Sequence, residues 1–231
     1  MDGARRHRWW WWVGLALVVG GVSVLGWVAW QVEGTNWVSR REQSQVLDRI
    51  RGAWERGEPT ARLRVGGGMV GLGGPEDRVE AVGVVRVPRF GDEYAVPLLE
   101  GTSDAVLAAG YGHFTRSAGP GERGNFALAA HRVTHGEPLR DMPSLQPGDR
   151  VLVETRAATY TYELTTGGDD LVVPFTETWV VDPLPTNPRP GGVQPPQEPG
   201  GRLITLTTCS ELFHTDDRMI AFGVLVDTRR R

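Results

Sequence analysis

Residues 202–209 have the sequence Arg-Leu-Ile-Thr-Leu-Thr-Thr-Cys, and this stretch indicates a β-strand that ends at the single cysteine of the chain. Its leucine, isoleucine and threonine side chains suit a pleated, partly buried surface, so the run predicts an extended conformation. A cysteine at the end of such a strand, directly before a loop, lies on the rim of a sheet. The stretch therefore predicts a β-rich fold that presents the thiol of Cys209 at its edge.

The composition favours the same fold class. A chain of 231 residues is enough for one domain with a sizeable core beside one membrane anchor, and its 31 glycines and 16 prolines predict many turns. The net charge of −3 leaves no basic surface large enough for nucleic acid, so we exclude that class of partner. One cysteine cannot form an intrachain disulfide, and without further support it would be interpreted as a small buried hydrophobic residue.

An uncharged apolar segment near the N-terminus predicts a membrane anchor. Residues 9–32 carry no charged side chain and exceed the about 20 residues that a helix needs to cross a bilayer. Arginines lie within residues 1–8 and Glu33 follows the segment, so we expect residues 1–8 in the cytoplasm and the rest of the chain outside. A cleaved signal peptide is the alternative, but the segment is too long and lacks a suitable cleavage site. We therefore predict a single-pass protein whose residues 9–32 contact membrane lipid.

Residues 33–76 are predicted to connect the anchor to the folded domain. Ser39 and Glu42 form a capping-box pattern at the start of a helix over residues 39–57. We interpret this helix as a spacer that packs loosely on the domain or the membrane surface. Residues 64–76 are rich in glycine and predict a flexible linker. The extracytoplasmic domain then covers residues 77–231.

Short strands separated by turns follow in this domain. About eight strands at this spacing predict a mainly β fold, with a small closed or nearly closed barrel. The connection over residues 182–201 is rich in proline and glycine, and loops of that length tend to be functional or disordered. The predicted strands cover residues 81–87, 126–130, 150–155, 159–164, 179–181, 202–207 and 219–226.

Three residue types in the domain suggest nucleophilic catalysis. His131 follows the strand 126–130, and Arg218 begins the last strand after a polar loop, so a hairpin would return Arg218 to the side of Cys209. A neighbouring cation lowers the pKa of a thiol, histidine can protonate a leaving amine, and arginine can stabilise an oxyanion. The sequence leaves open whether Cys209 and His131 meet.

The segment from about residue 81 to residue 226 resembles the sortases, most closely the class E type of Gram-positive actinobacteria. Thr-Leu-Thr-Thr-Cys over residues 205–209 fits the TLxTC motif of this family. Residues 121–132, preceded by Gly112-His113, are similar to the stretch that leads to the family's catalytic histidine, with Ala130 where the family often has glycine. Arg218 matches the arginine at the start of the family's last strand.

The resemblance implies an eight-stranded sortase-type β-barrel with short helices, preceded by the N-terminal transmembrane helix. It implies that Cys209 is the nucleophile, His131 the acid and base, and Arg218 the group that stabilises the oxyanion or substrate. Such an enzyme cleaves a C-terminal LAxTG or LPxTG sorting signal between threonine and glycine through a thioester. It then transfers the secreted protein to an amine of a peptidoglycan precursor.

The candidate substrate-binding residues are Thr207, Thr208, Tyr111 and Ala130, and packing is the alternative for Tyr111. Residues 182–201 correspond to the family's signal-recognition loop. We expect no cofactor and no metal: a His131/His135 pair would need a helix and further ligands, and the loop before Cys209 offers few acidic groups.

Three alternatives to a cell-wall-anchoring sortase stay open. A pilin-polymerising sortase would use a lysine side chain as its acceptor amine. A membrane-tethered sortase-like binding module would keep the barrel without turnover. A hydrolytic cysteine peptidase would release the same thioester to water.

Overall fold

The computed structural model describes residues 3–29, 35–66, 76–198, 200–209 and 216–231. Three α-helices occur in these residues: α1 Gly3–Ala29, α2 Thr35–Glu55 and α3 Asp104–Ala109. The strands are β1 Ala61–Gly66, β2 Glu76–Arg86, β3 Val96–Glu100, β4 Tyr111–His113, β5 Gly124–Ala129, β6 Arg150–Glu154, β7 Ala158–Leu164, β8 Leu171–Pro174, β9 Arg202–Cys209 and β10 Asp217–Arg230. Short 3₁₀ helices cover Pro88–Phe90, Met142–Ser144 and Thr178–Val181.

Eight of the strands close into a barrel. Their order is β2-β3-β4-β5-β9-β10-β7-β6, and pairing between β2 and β6 completes the ring. Two further strands lie outside it, β1 against β2 and β8 against β10. The predicted mainly β fold with an eight-stranded barrel is confirmed.

The interior of the barrel is filled by apolar side chains from several of its strands. Phe126, Tyr162 and Leu206 are among its fully buried members. A second apolar cluster lies outside the ring, where Val173, Ile220 and Phe222 pack against the segment 179–181. Strand β9 is covered by neighbours along its length, because residues 203–208 are all buried. Its register is therefore firmly set, since a slip of one residue would exchange its two faces.

The predicted strand at residues 179–181 is wrong. The segment forms a 3₁₀ helix, Thr178–Val181, because the carbonyl of Val180 bonds to side chains and not to a neighbouring strand. Asn125 Nδ2 donates to this carbonyl at 3.1 Å, and Thr205 Oγ1 donates to it at 3.1 Å. Val180 is buried and Trp179 and Val181 are partly buried, and side chains of β5 and β9 hold the backbone of this segment where a neighbouring strand would otherwise pair.

Helix α2 packs firmly on the barrel unit, so the prediction of a loosely packed spacer is wrong. The helix begins at Thr35, four residues before the predicted start. Ile50 and Ala53 are fully buried in a cluster with residues of β1, β2 and α3. Residues 64–66 belong to β1 and not to a linker, and residues 67–75 of the predicted linker lie outside the described residues. The predicted domain boundary at residue 77 thus divides a packed unit.

Helix α1 covers most of the predicted anchor. Residues 30–32 of that prediction lie outside the described residues, and residues 3–8 continue the helix. In the part of the chain that the structure describes, no helix is long and apolar enough to cross a membrane.

Candidate active site

The hairpin of β9 and β10 brings two of the predicted catalytic residues together. Cys209, the last residue of β9, pairs directly with Arg218 near the start of β10. The pairing continues from Met219 opposite Thr208 to Val224 opposite Leu203. Cys209 and Arg218 therefore lie at the same end of the barrel wall, as the predicted hairpin requires.

A parallel pairing brings His131 to the same rim. Strands β5 and β9 run side by side, with Ala129 opposite Thr207 at their carboxyl ends. The amide of Ala130 donates to the carbonyl of Thr207 at 3.2 Å, which extends the ladder by one residue. His131 follows Ala129 by two residues and Cys209 follows Thr207 by two residues, so they leave the two strands at the same level. The structure thus places Cys209, His131 and Arg218 at one rim.

Thr208 fastens the two strands just before they end. Its hydroxyl donates to the carbonyl of Ala130 at 2.7 Å, and both residues are buried. When one partner of such a buried hydroxyl–carbonyl bond is removed, the other is left unsatisfied at a cost of about 1–3 kcal/mol. The bond holds the residue before His131 against the residue before Cys209. Ala130 is 5% exposed, so its methyl group is enclosed at this position.

Burial and neighbouring charges favour the neutral form of the His131 imidazole. Burial, and then the neighbouring His135, lower the pKa of His131 from 6.5 to about 4. Asp104 opposes this effect and Arg218 adds to it. At neutral pH the ring is therefore a proton acceptor, which is the state needed to take a proton from a thiol.

The guanidinium of Arg218 lies over an aromatic ring that the sequence did not single out. Its Cζ atom is 4.9 Å from the centroid of Phe175, which directly follows β8 and is 65% exposed. Its Nη1 also donates to the carbonyl of Asp217 at 3.1 Å. A cation over a ring face is attracted to the ring's quadrupole, so Phe175 helps to orient Arg218. The available sequence signal was an aromatic residue directly after the apolar run Leu-Val-Val-Pro over residues 171–174.

The other candidate substrate-binding residues occupy different environments. Thr207 is 7% exposed and pairs with β5 and β10 on its two sides. Tyr111 is fully buried in the barrel interior, and its hydroxyl lies 2.7 Å from that of Tyr94. The structure therefore places Tyr111 in the core beside β5, and Thr207, Thr208 and Ala130 adjoin the rim residues.

Side-chain amides organise the connection 182–201. Asn187 Nδ2 donates to the carbonyl of Val193 at 3.0 Å, and Gln194 Nε2 donates to the carbonyl of Asn187 at 2.9 Å. Gln197 Nε2 donates to the carbonyl of Pro185 at 2.8 Å. Among the described residues, amide side chains thus help to order this proline-rich connection.

The described residues contain no group of three or more His, Cys, Asp or Glu side chains that could hold a metal ion. His131 and His135 lie close together, but the segment between them is not helical. Their arrangement is a stack of two rings, which is described below.

The chain matches known proteins over most of its folded part. Residues 85–226 match the family model of the sortase domain. The chain is 30% identical over 226 residues to sortase SrtE1 of Streptomyces coelicolor, a match that covers 95% of this chain and 58% of SrtE1. It is 29% identical over 224 residues to sortase SrtE2 of the same organism, covering 94% of this chain and 82% of SrtE2. The chain thus spans less than two thirds of the length of SrtE1.

Solved structures show the same barrel. Sortase E from Streptomyces avermitilis is 37% identical with a TM-score of 0.56, and the match covers 65% of this chain and 90% of that chain. Sortase E1 from Streptomyces coelicolor, solved with a tripeptide in the active site, is 32% identical with a TM-score of 0.53, covering 65% and 91%.

The closed barrel is thus shared with a known class of acyl-transferring enzymes. The chain belongs to the sortase family, whose members are cysteine transpeptidases. The family resemblance predicted from the sequence motifs is confirmed, and the relatives include class E sortases.

Proposed function

We propose that this chain is a transpeptidase that cleaves an LAxTG or LPxTG sorting signal between threonine and glycine, with Cys209, His131 and Arg218 as its catalytic residues. The observation that carries the proposal is the register at the rim. Cys209 pairs with Arg218 on one side, and on the other side the ladder of β5 and β9 brings His131 to the same level.

Acylation requires one proton acceptor and one cation. Neutral His131 accepts the proton of the Cys209 thiol, and the thiolate sulfur attacks the carbonyl carbon of the threonine. The electron pair of the C=O bond moves to oxygen, where the Arg218 guanidinium stabilises the negative charge. Collapse of this intermediate breaks the C–N bond, and the His131 imidazolium gives its proton to the leaving glycine nitrogen.

Deacylation reverses the proton movement. The acceptor amine attacks the thioester carbon, and His131 takes a proton from the attacking nitrogen. The thioester C–S bond breaks, and the His131 imidazolium returns its proton to the leaving Cys209 sulfur, so the free enzyme is regenerated. We propose an amine of a peptidoglycan precursor as the acceptor and secreted proteins with a C-terminal sorting signal as the donors.

A related structure and the connection 182–201 of this chain both support a peptide substrate. The related sortase E1 holds a tripeptide in its active site. In this chain the amide-ordered connection 182–201 leads directly into β9, which carries Cys209. We propose that this connection recognises the sorting signal. The sortase family is associated with the cell envelope, and we propose residues 9–32 as the membrane anchor, with the barrel outside the cell.

Mass spectrometry of the full-length chain in mild detergent tests the proposal. The chain is incubated with an LAxTG peptide or an LPxTG peptide, with and without triglycine as the amine. We expect cleavage after threonine, a ligated product when triglycine is present, and an enzyme mass raised by the acyl fragment. Cys209→Ala should lose all three signals, whereas the matched surface variant Thr228→Ala should retain them.

Two results would contradict the proposal. A folded wild-type chain that cleaves neither peptide excludes the activity. A chain that yields the same hydrolysed product with and without triglycine is a peptidase and not a transpeptidase.

A further inference from the structure

The segment that follows His131 holds an unusual backbone conformation. His135 and Glu137 both have φ of 55°, and they are the non-glycine residues with positive φ in the part of the chain that the structure describes. Such conformations cost free energy and persist where the surroundings hold them in place. The fold therefore maintains a strained turn four residues from the proposed acid and base.

The result of this turn is a pair of stacked imidazoles. The ring centroids of His131 and His135 lie 4.6 Å apart, and the ring planes differ by 27°. Nδ1 of His135 lies 3.0 Å from Thr134 Oγ1, and this contact restrains the rotation of the His135 ring. One face of the His131 ring is thus covered by His135, and this contact limits the orientations that the His131 ring can take.

Helix α2 holds the strained turn from outside the barrel. The buried side chain of Gln43 donates from Nε2 to the carbonyl of His135 at 3.0 Å. Gly136 permits this approach, because a Cβ atom there would lie 2.8 Å from Gln43 Nε2. A single α2 side chain therefore bonds to the residue that stacks on His131.

A second attachment lies two residues further along the turn. The Glu137 carboxylate, with 6% of its side chain exposed, lies 2.8 Å from Arg140 Nη1 and 3.6 Å from Arg40 Nη2 of α2. The amide of Leu139 donates to the carbonyl of His131 at 3.0 Å and closes the turn. The turn is thus fastened to α2 at two points and to His131 itself at a third.

We propose that His135 is a positioning residue for His131 and that α2 holds it in place through Gln43, which makes α2 part of the catalytic unit. The inference rests on the proposed role of His131. Asp104 of α3 and Arg218 of β10 also face His131, and Asp104 acts on His135 as well. Those two groups, and Arg40 of α2, are left unchanged in the tests below.

Steady-state peptide cleavage by the full-length chain distinguishes the effect of the His135 ring from the effect of the turn that carries it. Asparagine tolerates positive φ, so His135→Asn removes the ring and keeps the turn. We expect His135→Asn to lower kcat by about tenfold and to change KM by less than about twofold, because loss of position affects the chemical step. His135→Phe keeps a stacked ring and should retain more of kcat than His135→Asn.

Variants of α2 test the attachment. Gln43→Ala removes the bond to His135 and should lower kcat by about threefold to tenfold. Gln45→Ala removes an exposed side chain of the same type on the same helix and should have no effect. Equal kcat values for wild type, His135→Asn and Gln43→Ala would overturn the inference.

Titration of the His131 ring, followed by NMR at its Cε1–H group, provides a readout that does not need turnover. His135→Asn removes both part of the burial and a neighbouring ring that lowers the pKa of His131, so the pKa of His131 should rise towards its ordinary value. Gln45→Ala should leave the titration unchanged. An unchanged titration in His135→Asn would overturn the inference even if the peptide is cleaved. A wild-type chain that cleaves no peptide would refute the proposed function, and the titration would still decide whether His135 controls the His131 environment.

Discussion

At the scale of single residues, the site depends on a histidine that is kept neutral. Burial lowers the pKa of His131 from 6.5 to about 4, with His135 and Arg218 acting in the same direction and Asp104 opposing them. For the proposed mechanism, the consequence is a ring that can accept the thiol proton at neutral pH. The consequence for folding is a dependence of stability on pH.

We predict that His131 makes the folded chain less stable as the pH falls from about 6.5 to about 4. In this window the unfolded state binds the proton more tightly than the folded state, so acid favours unfolding. The slope contributed by one such group is at most about 1.4 kcal/mol per pH unit. Urea unfolding of wild type and His131→Gln at pH 7 and pH 5 measures it, because other groups contribute equally to both chains.

The expected outcome is a larger loss of stability between the two pH values for wild type than for His131→Gln. A wild-type chain that loses no more stability than His131→Gln would contradict a depressed pKa at His131.

At the scale of secondary structure, α2 is the element whose role changes most. A capping-box pattern predicts this helix, but the sequence indicates only a loosely packed spacer. The sequence could not predict what covers it, because the partners of α2 lie far along the chain. Gln43 and His135, for example, are 92 positions apart.

We predict that Ile50→Ala lowers the free energy of unfolding by about 2–5 kcal/mol, the range for removing a large aliphatic side chain from a packed core. Ile50 of α2 is fully buried, in a cluster with residues of β1, β2 and α3. Urea unfolding followed by tryptophan fluorescence measures the loss. The neighbouring Arg49→Ala, on the exposed face of the helix, should change stability by less than about 0.5 kcal/mol. If Ile50→Ala behaved like Arg49→Ala, α2 would not be part of the folded unit.

The strands show which local signals suffice. Strand β9 follows from its run of leucine, isoleucine and threonine, and β10 follows from the apolar residues after Arg218. Strands β3 and β4 were not predicted, because short buried runs beside proline and glycine carry no clear alternation. The segment 179–181 shows the opposite error, since its apolar run is a 3₁₀ helix whose carbonyl partners come from β5 and β9.

The candidate site divides in the same way. Cys209, His131 and Arg218 were predicted from residue chemistry and motif resemblance. His135, Gln43 and Phe175 were not assigned roles, because their contacts arise only when distant segments meet. Local sequence pattern therefore indicates the proposed reactive groups, whereas contacts between distant segments determine what surrounds them.

At the scale of the whole molecule, the barrel closes where β2 meets β6. Val84 pairs with Glu154 at this seam, and the register of β2 shifts between Ala81 and Gly83. A Cβ atom at Gly83 would lie 2.5 Å from the carbonyl oxygen of Glu154. Glycine thus allows the two backbones to approach closely enough to complete the ring.

We predict that Gly83→Ala destabilises the chain by about 1–3 kcal/mol, because the added methyl group pushes β2 away from β6 at the seam. The matched variant Gly52→Ala lies on α2, where the nearest atom to a new Cβ is Arg56 Nη1 at 3.4 Å. That variant should be neutral or stabilising, since alanine is favoured over glycine within a helix. Urea unfolding of both variants decides the matter, and a Gly83→Ala chain as stable as wild type would contradict the closure argument.

The parallel ladder between β5 and β9 also makes the position of the proposed catalytic residues independent of the proposed recognition loop, so the two can evolve separately. Hydrogen bonds between the two strands set the level of Cys209 against His131, and the length of the intervening chain does not enter. The connection 182–201 can therefore gain, lose or exchange residues while the reactive pair keeps its spacing. For the proposed enzyme, a lineage or a protein engineer can change the proposed recognition loop without moving Cys209 and His131, so long as the two strands remain in register.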